Sequence, residues 1–242
     1  MTPVTPVLKC FPGPERTLNT ENGIRGYPRR TASGYCPTMQ RNAWKWVFAL
    51  GFLVGSPVRA QNGGGVSVAG IGHDLGVATA KVFIVEFADF GCGYCSKFAF
   101  DQYPKIDSAY ISKGVVRWKM VPFVTGMFRN SREVAEAAEC SAEQGAFWKM
   151  HDLLYKRQKE WKTSSSIGTL ISKYATELKL DRTALSRCLL NPEIRKRIQR
   201  HDALAQQLSV RGTPTFFVNG RVVPGAIPFD LFQRVIVEAQ SR

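Results

Sequence analysis

Residues 86–95 read EFADFGCGYC, and this stretch decides how the rest of the chain is interpreted. The apolar run at residues 82–87 predicts a strand buried on both faces. A turn containing glycine follows, and a helix is predicted from Cys95 to about Ala109. Two cysteines separated by two residues, Cys92 and Cys95, therefore lie where the strand gives way to the helix.

This position at a helix start favours redox chemistry. Unpaired backbone N–H groups and the positive end of the helix dipole favour negative charge there. Since the thiolate is the reactive form of cysteine, we expect the pKa of Cys92 to be lowered and the residue to be activated. The spacing lets Cys95 close a small, reducible disulfide with Cys92. The stretch therefore predicts a dithiol–disulfide redox centre.

The net charge of the chain is unevenly distributed along the sequence. A charge of +14 over 242 residues raises the question of nucleic-acid binding. Residues 1–60 carry +6 of it, and most of the rest is spread over predicted helices. The single tight cluster comprises Arg195, Lys196, Arg197 and Arg200. We interpret it as a solvated helix face rather than a contact for acidic partners, so no nucleic-acid partner is expected.

The first quarter of the chain predicts a leader rather than part of the fold. Residues 1–38 are rich in Pro, Gly, Thr and Arg without periodicity, which is typical of disorder. Residues 39–60 combine a basic start, an apolar run and a Val-x-Ala ending. This is the pattern of a secretory signal peptide, with cleavage predicted after Ala60. The apolar run has about half of the roughly 20 residues that a membrane-spanning helix needs.

Two interpretations of residues 1–38 stay open. Either Met39 is the true start of translation, which we favour, or the protein has an unusually long leader. Both give a mature chain from Gln61 in an oxidising compartment, which we take to be the periplasm. The alternative is that residues 39–60 form an uncleaved anchor or a disordered tail.

The mature chain keeps four cysteines, which allow three disulfide pairings. Cys92 and Cys95 are so close in sequence that they are expected to pair with each other. This leaves Cys140 and Cys188, on separate predicted helices, as a structural disulfide. The alternatives are that one of them is a buried free thiol, or that the pair relays electrons.

Residues 61–128 predict a βαβ unit. They contain a predicted edge strand at residues 66–69, a loop, the buried strand and the helix after the cysteines. Pro104 is expected to interrupt that helix, because proline lacks a backbone N–H and clashes with the preceding turn. A second apolar strand at residues 115–121 completes a right-handed unit with parallel strands.

The remainder of the chain divides into a helical piece and a second β-containing piece. Residues 129–208 carry five helical patterns, with Ser131 and Asp181 as caps of the first and fourth, and are predicted to be an all-helical insertion. In residues 209–242, two short strands flank Asn219-Gly220, a strong hairpin signal, and an amphipathic helix follows. Residues 61–128 and 209–242 together are predicted to form one α/β domain.

This order resembles the thioredoxin superfamily, and more closely its DsbA-like branch of bacterial periplasmic proteins. Three segments carry the resemblance, which covers essentially residues 66–240. They are residues 85–95 with the Cys-x-x-Cys motif, residues 140–148, and residues 210–220 with Gly-Thr-Pro-Thr. The resemblance implies the α/β thioredoxin fold, βαβ then ββα, with an all-helical insertion.

The resemblance also implies catalytic roles. Cys92 matches the attacking thiol, and Cys95 matches the resolving thiol that displaces a mixed disulfide. Glu86 matches the family's buried acid, which moves protons to and from Cys95. Burial is expected to raise the pKa of Glu86. The alternative is that Glu86 is an edge residue with a solvated side chain.

Four residues are expected to face the substrate. Pro214 matches the family's cis-proline, which presents the backbone of Thr213 to a substrate strand for main-chain hydrogen bonds. Gly93 and Tyr94, between the cysteines, tune the redox poise together with Thr213. Gly-Tyr with threonine is closer to the superfamily's disulfide isomerases than to its strong oxidants.

We interpret the protein as an exported thiol–disulfide oxidoreductase that exchanges its Cys92–Cys95 disulfide with cysteines of unfolded or reduced secreted proteins. Disulfide donation is preferred over isomerisation or reduction, because there is no room between Gln61 and Lys81 for the isomerases' dimerisation domain. A monomer that a membrane redox partner reoxidises is therefore expected. No cofactor and no metal site are expected. A chaperone or metal-binding module on the same scaffold is the alternative of another class.

Overall fold

The computed structural model describes residues 67–242. The predicted signal peptide, its cleavage site after Ala60 and the first residue of the predicted edge strand lie outside the described residues. Among the helices of residues 67–242, none combines the length and the apolar character needed to cross a membrane.

A five-stranded mixed sheet forms the centre of the described chain. Its strands are β1 (His73–Leu75), β2 (Val82–Ala88), β3 (Val116–Pro122), β4 (Thr215–Val218) and β5 (Arg221–Pro224). Their order in the sheet is β1-β3-β2-β4-β5. β2 is central, because it pairs in parallel with β3 and antiparallel with β4. The parallel pair and the β4–β5 hairpin confirm the predicted order of βαβ then ββα.

The helices surround this sheet. They are α1 (Gly93–Asp101), α2 (Tyr103–Ile106), α3 (Ser131–Ala142), α4 (Phe147–Lys156), α5 (Gln158–Thr163), α6 (Ile167–Glu177), α7 (Arg182–Leu190), α8 (Pro192–Gln207) and α9 (Phe229–Gln240), and a π-helical segment (Asp107–Ile111) follows α2. α1 begins at Gly93, two residues before the predicted start, so Cys92 is its N-cap residue. The predicted interruption lies at Gln102, because Pro104 occupies the start of α2, where its missing N–H costs nothing.

The edge strand was predicted wrongly. Residues 67–69 form no strand, and His73–Leu75, predicted as part of a loop, pairs antiparallel with β3. Asp74 lies opposite Lys119 in this register, and Lys119 Nζ donates to its carboxylate (2.8 Å). A three-residue strand with an acidic centre has no apolar alternation, so the hydrophobic pattern gave no indication of it.

Aromatic packing fixes α1 against the centre of the sheet. β2 is covered on both faces, as its continuous apolar run predicts, and Val82, Ile84 and Phe87 have no exposed surface. Four rings from α1, β3, β4 and α9 lie 4.7–6.1 Å apart between centroids: Phe98, Trp118, Phe216 and Phe232. Phe98 is in α1, so this cluster determines where the cysteines at the start of α1 lie.

The chain between β3 and β4 is helical from α3 to α8. Cys140 in α3 and Cys188 in α7 form a disulfide that joins positions 48 residues apart. The chain-entropy estimate for a loop of that length is about 4 kcal/mol of stabilisation. The disulfide lies in its own apolar cluster with Ile171, Leu185 and Ile194. The division into residues 61–128 with 209–242 and residues 129–208 stays a prediction.

The basic cluster of α8 is largely paired within the fold. Three of its members contact carboxylates: Arg195 with Glu136 (3.3 Å), Lys196 with Glu193 (2.7 Å) and Arg197 with Glu139 (3.2 Å). The side chains of Arg195 (67%) and Lys196 (60%) stay more than half exposed, as expected for a solvated helix face.

Candidate active site

The two cysteines of the motif are free thiols at the start of α1. Cys92 N–H donates to Asp89 O (3.0 Å), and Cys92 O accepts from Ser96 N–H (3.1 Å), the first hydrogen bond of the helix. Cys92 is 5% exposed and Cys95 is 1% exposed. Cys92 is therefore the more accessible of the two, and Tyr94 between them is 71% exposed.

The surroundings of Cys92 stabilise its thiolate. A hydrogen bond with Cys95 lowers the pKa of Cys92 to about 6, against the opposing effect of burial. The Thr213 hydroxyl and the N–H groups of Cys95 and Tyr94 act in the same direction. Burial, the hydrogen bond to Cys92 and the charge of Glu86 raise the pKa of Cys95 well above its ordinary value. At neutral pH the pair holds a thiolate on Cys92 and a proton on Cys95.

Glu86 is the buried acid of the site. It lies in β2 and is 5% exposed, as expected for a buried acid, so the alternative of a solvated edge residue is wrong. Trp118 Nε1 from β3 donates to Glu86 Oε2 (3.1 Å). Burial raises the pKa of Glu86 to about 8, and the hydrogen bond from Trp118 offsets this only in part. Because the charge of Glu86 also raises the pKa of Cys95, the protonation of the two groups is coupled.

The loop before β4 completes the site. The peptide bond between Thr213 and Pro214 is cis. In its thiol form Cys92 Sγ donates to Thr213 O (3.2 Å). A cavity of about 270 Å³ opens beside this loop, with Phe217 and Val222 among its walls. Thr213 therefore lies beside the sulfur of Cys92 and also borders this cavity, whose walls do not include Cys92.

Asp89 holds the turn between β2 and α1. Its carboxylate is buried and accepts from Gly91 N–H (2.8 Å) and from both the N–H and the hydroxyl of Thr125 (2.8 Å each). Ser131 Oγ donates to the same carboxylate. Ser131, predicted to cap α3, is instead its first residue, with Asn130 at the N-cap. Its hydroxyl is engaged by Asp89 and is not used as a cap.

The structure brings most of the predicted site residues together. Five of them meet at the carboxyl end of β2 and the loop before β4: Cys92, Cys95, Glu86, Thr213 and Pro214. Gly93 and Tyr94 are exposed in the first turn of α1. The Cys140–Cys188 disulfide lies in a different apolar cluster from the redox pair.

The sequence did not predict three residues of the site. Trp118 could have been found, because it lies two residues before Met120, the register partner of Glu86, and so shares its face of the sheet. Gln158 and Lys162 of α5 donate to backbone carbonyls of the turn before α1. No local pattern predicts that contact, since polar residues on a helix usually indicate a solvated face.

Comparisons with known proteins agree with this site. The Thioredoxin family model matches residues 69–238. Disulfide bond formation protein D of Bacillus subtilis is 31% identical over 170 residues, which cover 67% of this chain and 74% of that protein. The crystal structure of oxidised BdbD from Bacillus subtilis is 27% identical with a TM-score of 0.65, covering 73% of this chain and 96% of that one.

A further relative is a much longer protein. The Na⁺/H⁺ antiporter NhaA 3 of Salinispora tropica is 36% identical over 169 residues, which cover 69% of this chain. The chain spans only 24% of the antiporter's length, so the similarity concerns one part of that protein. The family model extends over most of the chain and includes both the cysteine motif and the cis-proline loop. The chain belongs to the thioredoxin family, and within it to the DsbA-like thiol–disulfide oxidoreductases.

Proposed function

We propose that the protein is an exported thiol–disulfide oxidoreductase that donates its Cys92–Cys95 disulfide to secreted proteins. The observation that carries this proposal is the opposite perturbation of the two thiols. The pKa of Cys92 is lowered to about 6, whereas that of Cys95 is raised. A stabilised Cys92 thiolate favours the reduced pair, so the oxidised pair gives up its disulfide readily.

Donation of one disulfide takes two thiolate attacks. A substrate thiolate attacks Cys92 Sγ and forms a mixed disulfide, while the Cys92–Cys95 bond breaks and Cys95 leaves as a thiolate. A second substrate thiolate attacks the substrate sulfur of the mixed disulfide, and Cys92 leaves as a thiolate. Two electrons pass from the substrate to the protein, which is left with a reduced pair.

Glu86 is proposed to supply the proton that the first attack requires. Cys95 leaves as a thiolate in a buried place, where burial strongly favours its neutral form. Glu86 is protonated at neutral pH, because its pKa is about 8, and so has a proton to give. After the transfer, the carboxylate of Glu86 recovers a proton from solvent.

The substrate is proposed to bind in an extended conformation beside Cys92. Thr213 lies next to the reactive sulfur, and main-chain hydrogen bonds to an extended segment do not depend on its sequence. Unfolded proteins of many sequences therefore suit this site. A Cβ at Gly93 would meet nothing within 4 Å, so the approach is open there, and the exposed ring of Tyr94 offers an apolar contact.

Export and partners are proposed from the sequence. A signal peptide at residues 39–60 would deliver the mature chain to the periplasm, where disulfides persist. A membrane redox partner would then reoxidise the pair after each donation. A monomer would leave Cys92 accessible to that partner as well as to substrates.

The direction of exchange is tested with one preparation of oxidised protein. We expect it to oxidise a reduced dithiol peptide faster than oxidised glutathione does, and to rescue a scrambled-disulfide protein poorly. The control Cys92→Ala should do neither. Efficient rescue without an added isomerase would show that the protein acts as an isomerase rather than as a disulfide donor. Failure in both assays would contradict the proposed oxidoreductase activity and favour a chaperone or metal-binding module.

A further inference from the structure

The turn that carries Cys92 is bound by two side chains of α5. Gln158 Nε2 donates to Phe90 O (2.7 Å) and to Cys92 O (2.9 Å). Lys162 Nζ donates to Gly91 O (2.7 Å). These two residues lie one helical turn apart. Together they bind the three successive carbonyls of residues 90–92, immediately before α1 begins.

Two of these three carbonyls depend on α5 for their partners. In the backbone hydrogen bonds of residues 67–242, Phe90 O and Gly91 O accept none, and Cys92 O accepts only Ser96 N–H. Phe90 and Gly91 are buried, so water does not readily replace a lost donor. Without α5 the turn would have to shift until its carbonyls found other partners.

Lys162 occupies a closely packed position. Its Nζ lies 4.6 Å from the centroid of the Phe128 ring. The same ring packs on Gly91, where a Cβ would come within 2.3 Å of Phe128 Cβ. Gly91 is therefore the residue type that fits, and the Lys162 ammonium is held between the Gly91 carbonyl and the ring. Loss of this contact would leave the Gly91 carbonyl without its donor.

We propose that Gln158 and Lys162 are positioning residues, which fix the turn at residues 90–92 so that the first N–H groups of α1 point at Cys92 Sγ. This inference rests on the proposed function, since it concerns the same sulfur. The N–H groups of Tyr94 and Cys95 stabilise the thiolate only while Cys92 stays at the N-cap. Gln158 is uncharged and acts through geometry, whereas Lys162 also adds positive charge.

Matched variants of the full chain separate geometry from charge. Gln158→Met and Lys162→Met remove the donors at similar side-chain volume. Lys159→Met is the control, because this exposed lysine of α5 donates no side-chain hydrogen bond within the described residues. Lys162→Arg restores both a cation and a donor. The readout is the pKa of Cys92, measured from the pH dependence of thiolate absorbance. A purely structural role of Gln158 and Lys162 would leave this pKa unchanged.

Gln158→Met and Lys162→Met are each expected to lower the thiolate fraction at pH 5 by about three- to tenfold, through a rise of the Cys92 pKa. The equilibrium constant for oxidation of glutathione by these variants should fall by a similar factor. Lys159→Met and Lys162→Arg should stay within about twofold of the parent protein in thiolate fraction.

Two results would overturn the positioning role. One is an unchanged pKa of Cys92 in both methionine variants. The other is a change in Lys162→Met alone, which would mean that Lys162 acts through its charge. If Gln158→Met does not fold, Gln158→Asn tests the same contact with a donor too short to reach the turn. A parent protein with an ordinary cysteine pKa would contradict the proposed function as well, whereas a low parent pKa with unchanged variants contradicts the positioning role alone.

Discussion

Replacing Cys95 with alanine is expected to stop turnover and to trap substrate on Cys92. In this variant no Cys92–Cys95 disulfide can form, so donation stops. The Cys92 thiolate still attacks a substrate disulfide, and the mixed disulfide persists because the thiol that would displace it is absent. We expect turnover to fall by a factor on the order of a hundred or more. Loss of the hydrogen bond from Cys95 should also raise the pKa of Cys92, so trapping should slow below neutral pH. Non-reducing electrophoresis with mass spectrometry measures the adduct.

Two controls make the trapping experiment specific. Cys92→Ala should form no adduct, because the attacking sulfur is gone. In the Cys95→Ala background, Cys140→Ala/Cys188→Ala should trap substrate as well as the protein with that disulfide does, since the disulfide lies in a separate cluster. Adducts in Cys92→Ala, or wild-type turnover in Cys95→Ala, would contradict the assigned roles.

Replacing Glu86 with glutamine is expected to stabilise the protein at pH 8 by about 2 kcal/mol. The folded-state pKa of about 8 lies above the ordinary value of 4.5, so the folded protein keeps a proton that the unfolded chain releases. The free energy of unfolding therefore falls as pH rises between these values. At pH 8 the free energy of unfolding is about 4 kcal/mol lower than in acid, where Glu86 is protonated in both states. Unpaired N–H groups of the glutamine offset about 1–3 kcal/mol of the gain.

Urea unfolding at pH 5 and pH 8 measures this effect. The background should carry Cys92→Ala and Cys95→Ala, so that no thiol of the site titrates. Glu86→Gln should remove the fall in stability that Glu86 causes between these pH values, and near pH 5 it should be neutral or destabilising. An unchanged pH dependence would show that Glu86 is not a buried neutral acid.

Glu139 serves as a control, because its pKa is shifted in the opposite direction from that of Glu86. It is 1% exposed, and burial works against its charge. The hydrogen bond and charge of His73, with Arg197 and His201 nearby, nevertheless hold the pKa of Glu139 below its ordinary value. Stability from this group is present above its unfolded pKa and is lost in acid. Glu139→Gln should therefore destabilise the protein at neutral pH, where Glu86→Gln stabilises it.

Local patterns explain why much of the site could be predicted. The spacing of Cys92 and Cys95 after an apolar strand predicted the redox pair and its place at a helix start. The apolar run of β2, in which Glu86 is the one charged residue, indicated burial on both faces. Asn219-Gly220 predicted the hairpin that the structure contains. The role of Pro214 came from the family resemblance, because no local rule identifies it.

Contacts between distant segments could not be predicted in this way. Gln158 and Lys162 reach the turn before α1 from 66 to 71 residues away, and their helical pattern is that of a solvated face. The strand His73–Leu75 is held by pairing with β3, and Asp74 accepts from Lys119 45 residues away. Such elements depend on tertiary partners rather than on their own propensity.

The pH dependence of Cys92 alkylation tests the central claim most directly. Reduced protein is treated with iodoacetamide over a range of pH, and mass spectrometry assigns the modified cysteine. We expect Cys92 to react first, with a midpoint near the pKa of about 6 that its surroundings produce. A midpoint near the ordinary cysteine value of about 8.5, or modification of Cys95 before Cys92, would contradict the account.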